Sequence, residues 1–129
     1  MTDETRTTIL ILDDEPIVCK RLKPSLEKKG YEVETFTVSL DAMQRIREKN
    51  FDIVITDLKM EGLDGMEFLT RVKDRSPVTE VIVITGFATM ETAKESFKKG
   101  VFDFLAKPFK FGEIKEVLAK AESKIKGKR

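Results

Sequence analysis

At 129 residues the chain fits one domain, large enough to bury a real core and too short for a second module of useful size. Lys and Arg total 24 against 23 for Asp and Glu, so no global field is available to hold nucleic acid or an anionic membrane. The absence of histidine excludes Ser-His and Cys-His nucleophiles and His-ligated zinc, and a single cysteine excludes an internal disulfide, which leaves carboxylate, lysine and hydroxyl chemistry.

Met1 to Thr8 is polar and lacks the apolar core of a signal peptide, and no later apolar run approaches membrane-spanning length, so a soluble, cytoplasmic protein is expected. Thr8-Ile9-Leu10-Ile11-Leu12 is a continuous apolar run stopped by acids, the pattern of a strand buried on both faces. Glu15-Pro16 opens a helix carrying Ile17, Val18, Leu22 and Leu26 at helical spacing, with Cys19 packed inside it and Gly30 as its stop. Tyr31 to Thr35 alternates as a strand; Leu40, Met43 and Ile46 mark a second helix; Phe51 to Thr56 is another buried strand. After the turn-rich Glu61-Gly62-Leu63-Asp64-Gly65, the set Met66, Leu69 and Val72 predicts a third helix and Val81 to Ile84 a fourth strand. Met90 to Lys99 is a weakly apolar fourth helix ended by Gly100, and Phe102 to Leu105 is a short fifth strand. Ile114, Val117, Leu118, Ala121 and Ile125 place one apolar stripe on a last helix. Strict strand–helix alternation predicts an α/β fold, a parallel sheet with helices on both faces. No internal repeat or interdomain linker interrupts it.

In such a sheet, ligands bind beyond the carboxyl ends of the strands. Asp13 and Asp14 follow the first strand, Asp57 closes the third, Thr85 closes the fourth, and Lys107 with Pro108 follows the fifth. Three carboxylates gathered at one sheet end repel one another unless a cation lies between them, and oxygen-only ligation suits Mg²⁺. Each residue also has an ordinary alternative. Asp14 or Glu15 before Pro16 would cap a helix, Asp57 would satisfy a turn, Thr85 would cap the next helix, and Lys107 would be a solvated surface lysine. Their coincidence at successive strand ends favours a site. The Lys107-Pro108 junction, extended or cis, is suited to aiming the lysine at it.

Over roughly Thr7 to Lys124 the chain resembles the receiver domain of two-component response regulators. The motifs are Ile-Leu-Asp13-Asp14-Glu15, Ile-Val-Ile-Thr-Asp57-Leu-Lys-Met, Leu-Asp-Gly65, Val-Ile-Thr85-Gly86 and Phe104-Leu-Ala-Lys107-Pro108. The resemblance implies a flavodoxin-like (βα)5 doubly wound fold of strand order 2-1-3-4-5, with Asp57 as phosphoacceptor. Asp14, Asp57 and the backbone carbonyl of Lys59 would ligate Mg²⁺ directly, Asp13 through water, while Lys107 and Thr85 would contact the phosphoryl oxygens. Thr85 and Phe104 would form the switch, and Phe87 and Lys59 would flank the path of attacking water. The implied partner is a sensor histidine kinase or phosphotransfer protein, and the face of the fourth helix, fifth strand and fifth helix admits a homodimer. The protein would be a signalling domain that assists only its own phosphotransfer and dephosphorylation, not an enzyme acting on a separate substrate. Glu61 and Gly86 depart from the family's frequent proline and alanine without touching metal or phosphate.

The runs Thr85-Gly86-Phe87 and Phe102 to Phe109 look most like receivers attached to AAA-type transcriptional activators. Residues 1–129 are expected to form a single domain with its core at about 7–124. The end, 125–129, is then a basic tail or the start of a linker, and the polypeptide is a stand-alone receiver or a piece of a longer regulator. Three other readings compete. An unphosphorylated pseudo-receiver would normally have lost an acid or the lysine, and all are present. A Mg²⁺-dependent aspartyl-phosphate phosphohydrolase of the haloacid dehalogenase kind would place a second aspartate at the position of Lys59. A flavodoxin-like electron carrier would need a phosphate loop where this chain has acids.

Overall fold

The computed structural model describes residues 6–59 and 64–127. Its elements run β1 (Thr8–Leu12), α1 (Pro16–Glu27), β2 (Glu32–Phe36), α2 (Ser39–Glu48), β3 (Ile53–Thr56), α3 (Gly65–Arg75), β4 (Glu80–Thr85), α4 (Met90–Lys98), β5 (Asp103–Ala106) and α5 (Phe111–Gly127). All strand pairs are parallel and the sheet order is β2-β1-β3-β4-β5, so the order reverses between β1 and β3, as expected. Met60 to Leu63, which include the Glu61 departure and most of the expected turn, lie outside the described residues, as do Lys128 and Arg129.

Strand alternation sorts the apolar residues into two cores. Ile9, Ile11, Ile53, Ile55, Ile82 and Ile84 face α1 and α5, where Leu22, Leu26, Ile114 and Leu118 close over them. Leu10, Leu12, Val54, Val81 and Val83 face the other layer, against Met43, Ile46, Phe68, Leu69 and Val72 of α2 and α3. Both faces of the central strands are therefore dry, which is why those strands are read from continuous apolar runs.

The helices depart from expectation in which residues they bury. Ile17 is 54% exposed and Leu40 68%, so helical spacing marked their helices without placing them in the core. Phe68, not anticipated, is fully buried on α3, while Met66 is only partly covered. Pro24 lies inside α1, where it cannot donate to the Lys20 carbonyl. α4 buries only Ser96 among its residues, and Met90 and Phe97 are largely exposed, so it is the most loosely docked helix. Gly100, at φ 96°, ends it. At the opposite end of the sheet from the acids, buried Glu80 meets Lys124 of α5 at 2.9 Å. The lysine-rich end is thus partly used: Lys124 pairs across the fold, and Lys120 and Lys126 pair with Glu116 and Glu122 along α5.

Candidate functional site

Sheet hydrogen bonding continues one residue past three strand ends. The Asp13 amide donates to the Phe36 carbonyl at 3.0 Å, that of Asp57 to Leu12 at 3.1 Å, and that of Lys107 to Thr85 at 2.9 Å. The backbones of all three residues are fixed by the ladder itself. A fourth constraint comes from Gly65, the first residue of α3, whose amide donates to the Leu58 carbonyl at 3.0 Å. A Cβ at this position would lie 2.3 Å from the Asp57 carbonyl oxygen and 2.5 Å from the Leu58 Cα. Only glycine lets α3 approach the end of β3 so closely.

Asp13 and Asp57 are buried and Asp14 is exposed, and each offers a carboxylate oxygen within 4.8 Å of the others. Asp57 Oδ1 accepts from the amides of Leu58 (2.6 Å) and Lys59 (3.3 Å), and Asp13 Oδ1 from that of Glu15 (2.9 Å). Lys107 crosses the sheet end. Its Nζ lies 2.8 Å from Asp13 Oδ2, 2.9 Å from Asp57 Oδ2 and 2.6 Å from Glu15 Oε1. All three ammonium donors are thereby used. The Lys107-Pro108 peptide is cis, one of the two expected forms, and the lysine side chain is only 14% exposed, which overturns the solvated-lysine alternative.

Burial pushes the Asp13 carboxyl above the ordinary aspartate range, and the hydrogen bond from Lys107 only partly offsets it. Burial also pulls the Lys107 ammonium down, but its hydrogen bonds to Asp13, Glu15 and Asp57 outweigh that, and its pKa is raised. Four carboxylates nonetheless face one ammonium. The excess negative charge, the all-oxygen donor set and the mixture of buried and exposed acids fit a hard divalent cation that keeps part of its water shell. Asp13, Asp14 and Asp57 are the residues placed to hold it.

Thr85 is fully buried, and its hydroxyl accepts from the Phe87 amide at 3.1 Å. It does not cap α4: that role belongs to Thr89, which exchanges hydrogen bonds with Thr92 in a capping box. Thr85 pairs with Ala106, so Phe104, two residues earlier on β5, points to the same face of the sheet. Phe104 is half-buried against the core that contains Phe68 and Val83. At the rim, Phe87 is 53% exposed with the Lys59 Nζ 4.6 Å above its ring. Every expected site side chain is therefore at one sheet end, with Phe104 one layer below. Glu15 was missed as a site residue. Its side chain makes no capping bond and reaches Lys107 instead, a contact signalled in the sequence only by the third acid in Asp13-Asp14-Glu15.

Comparison with known proteins agrees with this geometry. The family model of the response regulator receiver domain matches residues 9–119. Transcriptional regulatory protein ZraR of Salmonella typhimurium is 37% identical over 113 residues, covering 88% of this chain and 26% of the relative, so the chain spans about a quarter of that protein's length. A response regulator receiver domain protein from Clostridium thermocellum superposes with a TM-score of 0.88 at 32% identity, covering 95% of this chain and 99% of its own. A response regulator from Burkholderia pseudomallei, solved with a phosphorylated aspartic acid, a calcium ion and citrate, superposes at 0.82 with 25% identity, covering 95% of this chain and 72% of its own.

Proposed function

The chain belongs to the response regulator receiver domain family, and from that premise we propose that Asp57 is its phosphoacceptor, loaded by a sensor histidine kinase or phosphotransfer protein with Mg²⁺ held by Asp13, Asp14 and Asp57. The observation that carries this reading is the Asp57 carboxylate itself: buried, fixed at one oxygen by two backbone amides and at the other by Lys107, and facing two further acids. A carboxylate so held needs little reorganisation to attack phosphorus. The bound metal supplies neutralisation of the charge on the transferring oxygens. Lys107 stays protonated throughout and contributes positive charge beside the acceptor. The Burkholderia relative, with its phosphorylated aspartic acid and calcium ion, supports the same chemistry.

A groove of about 860 Å³ runs beside the site between α1 and the turn after β5. Glu15 and Lys107, which also belong to the site, line it together with Ile17, Pro24, Pro108 and Phe109, so a phosphodonor protein seated there lies beside the Lys107 that holds Asp57. The domain acts as a signalling element that assists only its own loading and unloading.

Asp14 is exposed and makes no ion pair with Lys107, so its carboxylate is free for the metal. Asp14→Ala should weaken Mg²⁺ binding by about tenfold or more, followed by amide shifts at residues 13–15 and 57–59 during titration. An unchanged titration would remove Asp14 from the ligand set. Phe87 and Lys59 stack at the rim, where the family resemblance puts the path of attacking water, and Phe87→Ala should shorten the half-life of the phosphorylated form by a few-fold, read by intact mass over time. Equal half-lives would show that the ring does not obstruct water.

For the readout, the phosphoryl group offers a new acceptor to the Thr85 hydroxyl. Drawing Thr85 inward vacates space on the face it shares with Phe104, next to the loosely docked α4. Phosphorylation shifts that two-state packing by its differential affinity, typically about 1–3 kcal/mol. The altered face of α4, β5 and α5 is then open to a partner or a second copy. Thr85→Ala should still gain a phosphoryl group yet show smaller phosphorylation-induced amide shifts around Phe104. Shifts equal to wild type would rule out this route.

A further inference from the structure

Lys107 must give up a hydrogen bond before it can contact a phosphoryl oxygen, because all three of its donors are already engaged. We propose that Glu15 is the ligand it gives up: a positioning residue that holds Lys107 in the unphosphorylated state and exchanges with the phosphoryl group on transfer. The inference rests on Asp57 as acceptor.

The three carboxylates on Lys107 are not equivalent. The Asp13 and Asp57 side chains are 4% and 7% exposed, whereas that of Glu15 is 58% exposed. Before transfer, releasing Asp13 or Asp57 would strip a buried carboxylate of its ion pair, which is costly, while water can replace Lys107 at Glu15 at little cost. Glu15 also has no competing local task. It stands at the N-cap of α1 without capping it, Pro16 presents no amide there, and among the described residues its carboxylate bonds only to Lys107, at 2.6 Å. Ninety-two positions separate the two in sequence, so the contact is a product of the fold. On transfer, an Asp57 oxygen bonds to phosphorus as the donor's phosphorus–nitrogen bond breaks, and the leaving nitrogen keeps the electron pair. Lys107 exchanges acceptors without changing its protonation, from Glu15 to a phosphoryl oxygen. The freed carboxylate then belongs to the wall of the donor groove, which Glu15 and Lys107 both line.

Loss of the exposed contact should speed loading. With acetyl phosphate as donor at saturating Mg²⁺, Glu15→Gln should acquire its adduct about two- to fivefold faster than wild type, as expected for removal of one exposed ion pair. Glu15→Asp separates contact from charge, since it keeps the carboxylate but is one methylene too short to reach Lys107. It should be accelerated like Glu15→Gln, and the Lys107 ammonium nitrogen resonance should move in both variants before phosphorylation. Wild-type rates in Glu15→Asp, or equal rates in all three proteins, would overturn the proposal. Absence of any adduct in all three would instead strike down Asp57 as acceptor, and this inference with it.

Discussion

Asp57→Asn should gain no phosphoryl group from acetyl phosphate or from a phosphorylated donor protein, under conditions in which wild type gains one. An amide oxygen is a poor nucleophile, and no other carboxylate is presented in the same way: Asp13 is turned to Lys107 and the Glu15 amide, and Asp14 is exposed at the rim. The fold should survive. The substituted side chain keeps an oxygen for the Leu58 and Lys59 amides, and it removes one negative charge from a site in which four carboxylates face one ammonium. Loss of the Lys107 ion pair and relief of repulsion oppose each other, so stability should change by no more than about 1 kcal/mol. Intact mass and thermal melting report the two halves separately. A persisting adduct on a folded variant would assign the acceptor role elsewhere.

Gly65→Ala should be the most damaging single-methyl change near the site. Helix propensity alone favours alanine over glycine by up to about 1 kcal/mol. Against that, the new Cβ would stand 2.3 Å from the Asp57 carbonyl oxygen and inside contact distance of two Leu58 backbone atoms, none of which can rotate away. Either α3 or the end of β3 must move. Overpacking of this kind costs about 3 kcal/mol, and the net loss should lower the melting temperature by roughly 10 °C. Because the obstructed atoms belong to Asp57 and Leu58, loading should slow as well. A variant as stable as wild type would mean that the close approach of α3 is not maintained in solution.

Much of the fold was legible because the central strands are buried on both faces: Ile9 to Leu12 and Val81 to Ile84 had to be continuous apolar runs, and the sequence shows them so. The acids at Asp13, Asp14 and Asp57 were legible for the complementary reason, since carboxylates directly after dry strands have no structural excuse once they gather. Amphipathic spacing was a weaker guide. It marked the helices but could not tell Ile17 and Leu40, left exposed, from Leu22 and Met43, because a period of 3.6 fixes a stripe and not which neighbour covers it. Pairwise contacts were the least legible. Glu15 read as a helix cap because that is what an acid before proline does locally, and its bond to Lys107 depends on β1 and β5 ending at the same level of one sheet. Gly65 likewise showed as a motif residue without revealing that it clears space for the Asp57 backbone.

Metal-dependent modification of one side chain is what the site's geometry most directly implies. Wild-type protein incubated with acetyl phosphate should gain the mass of a single phosphoryl group in the presence of Mg²⁺ and essentially none when the metal is chelated, with the label mapping to Asp57. Equal adduct with and without the metal, or a label on any other residue, would contradict it.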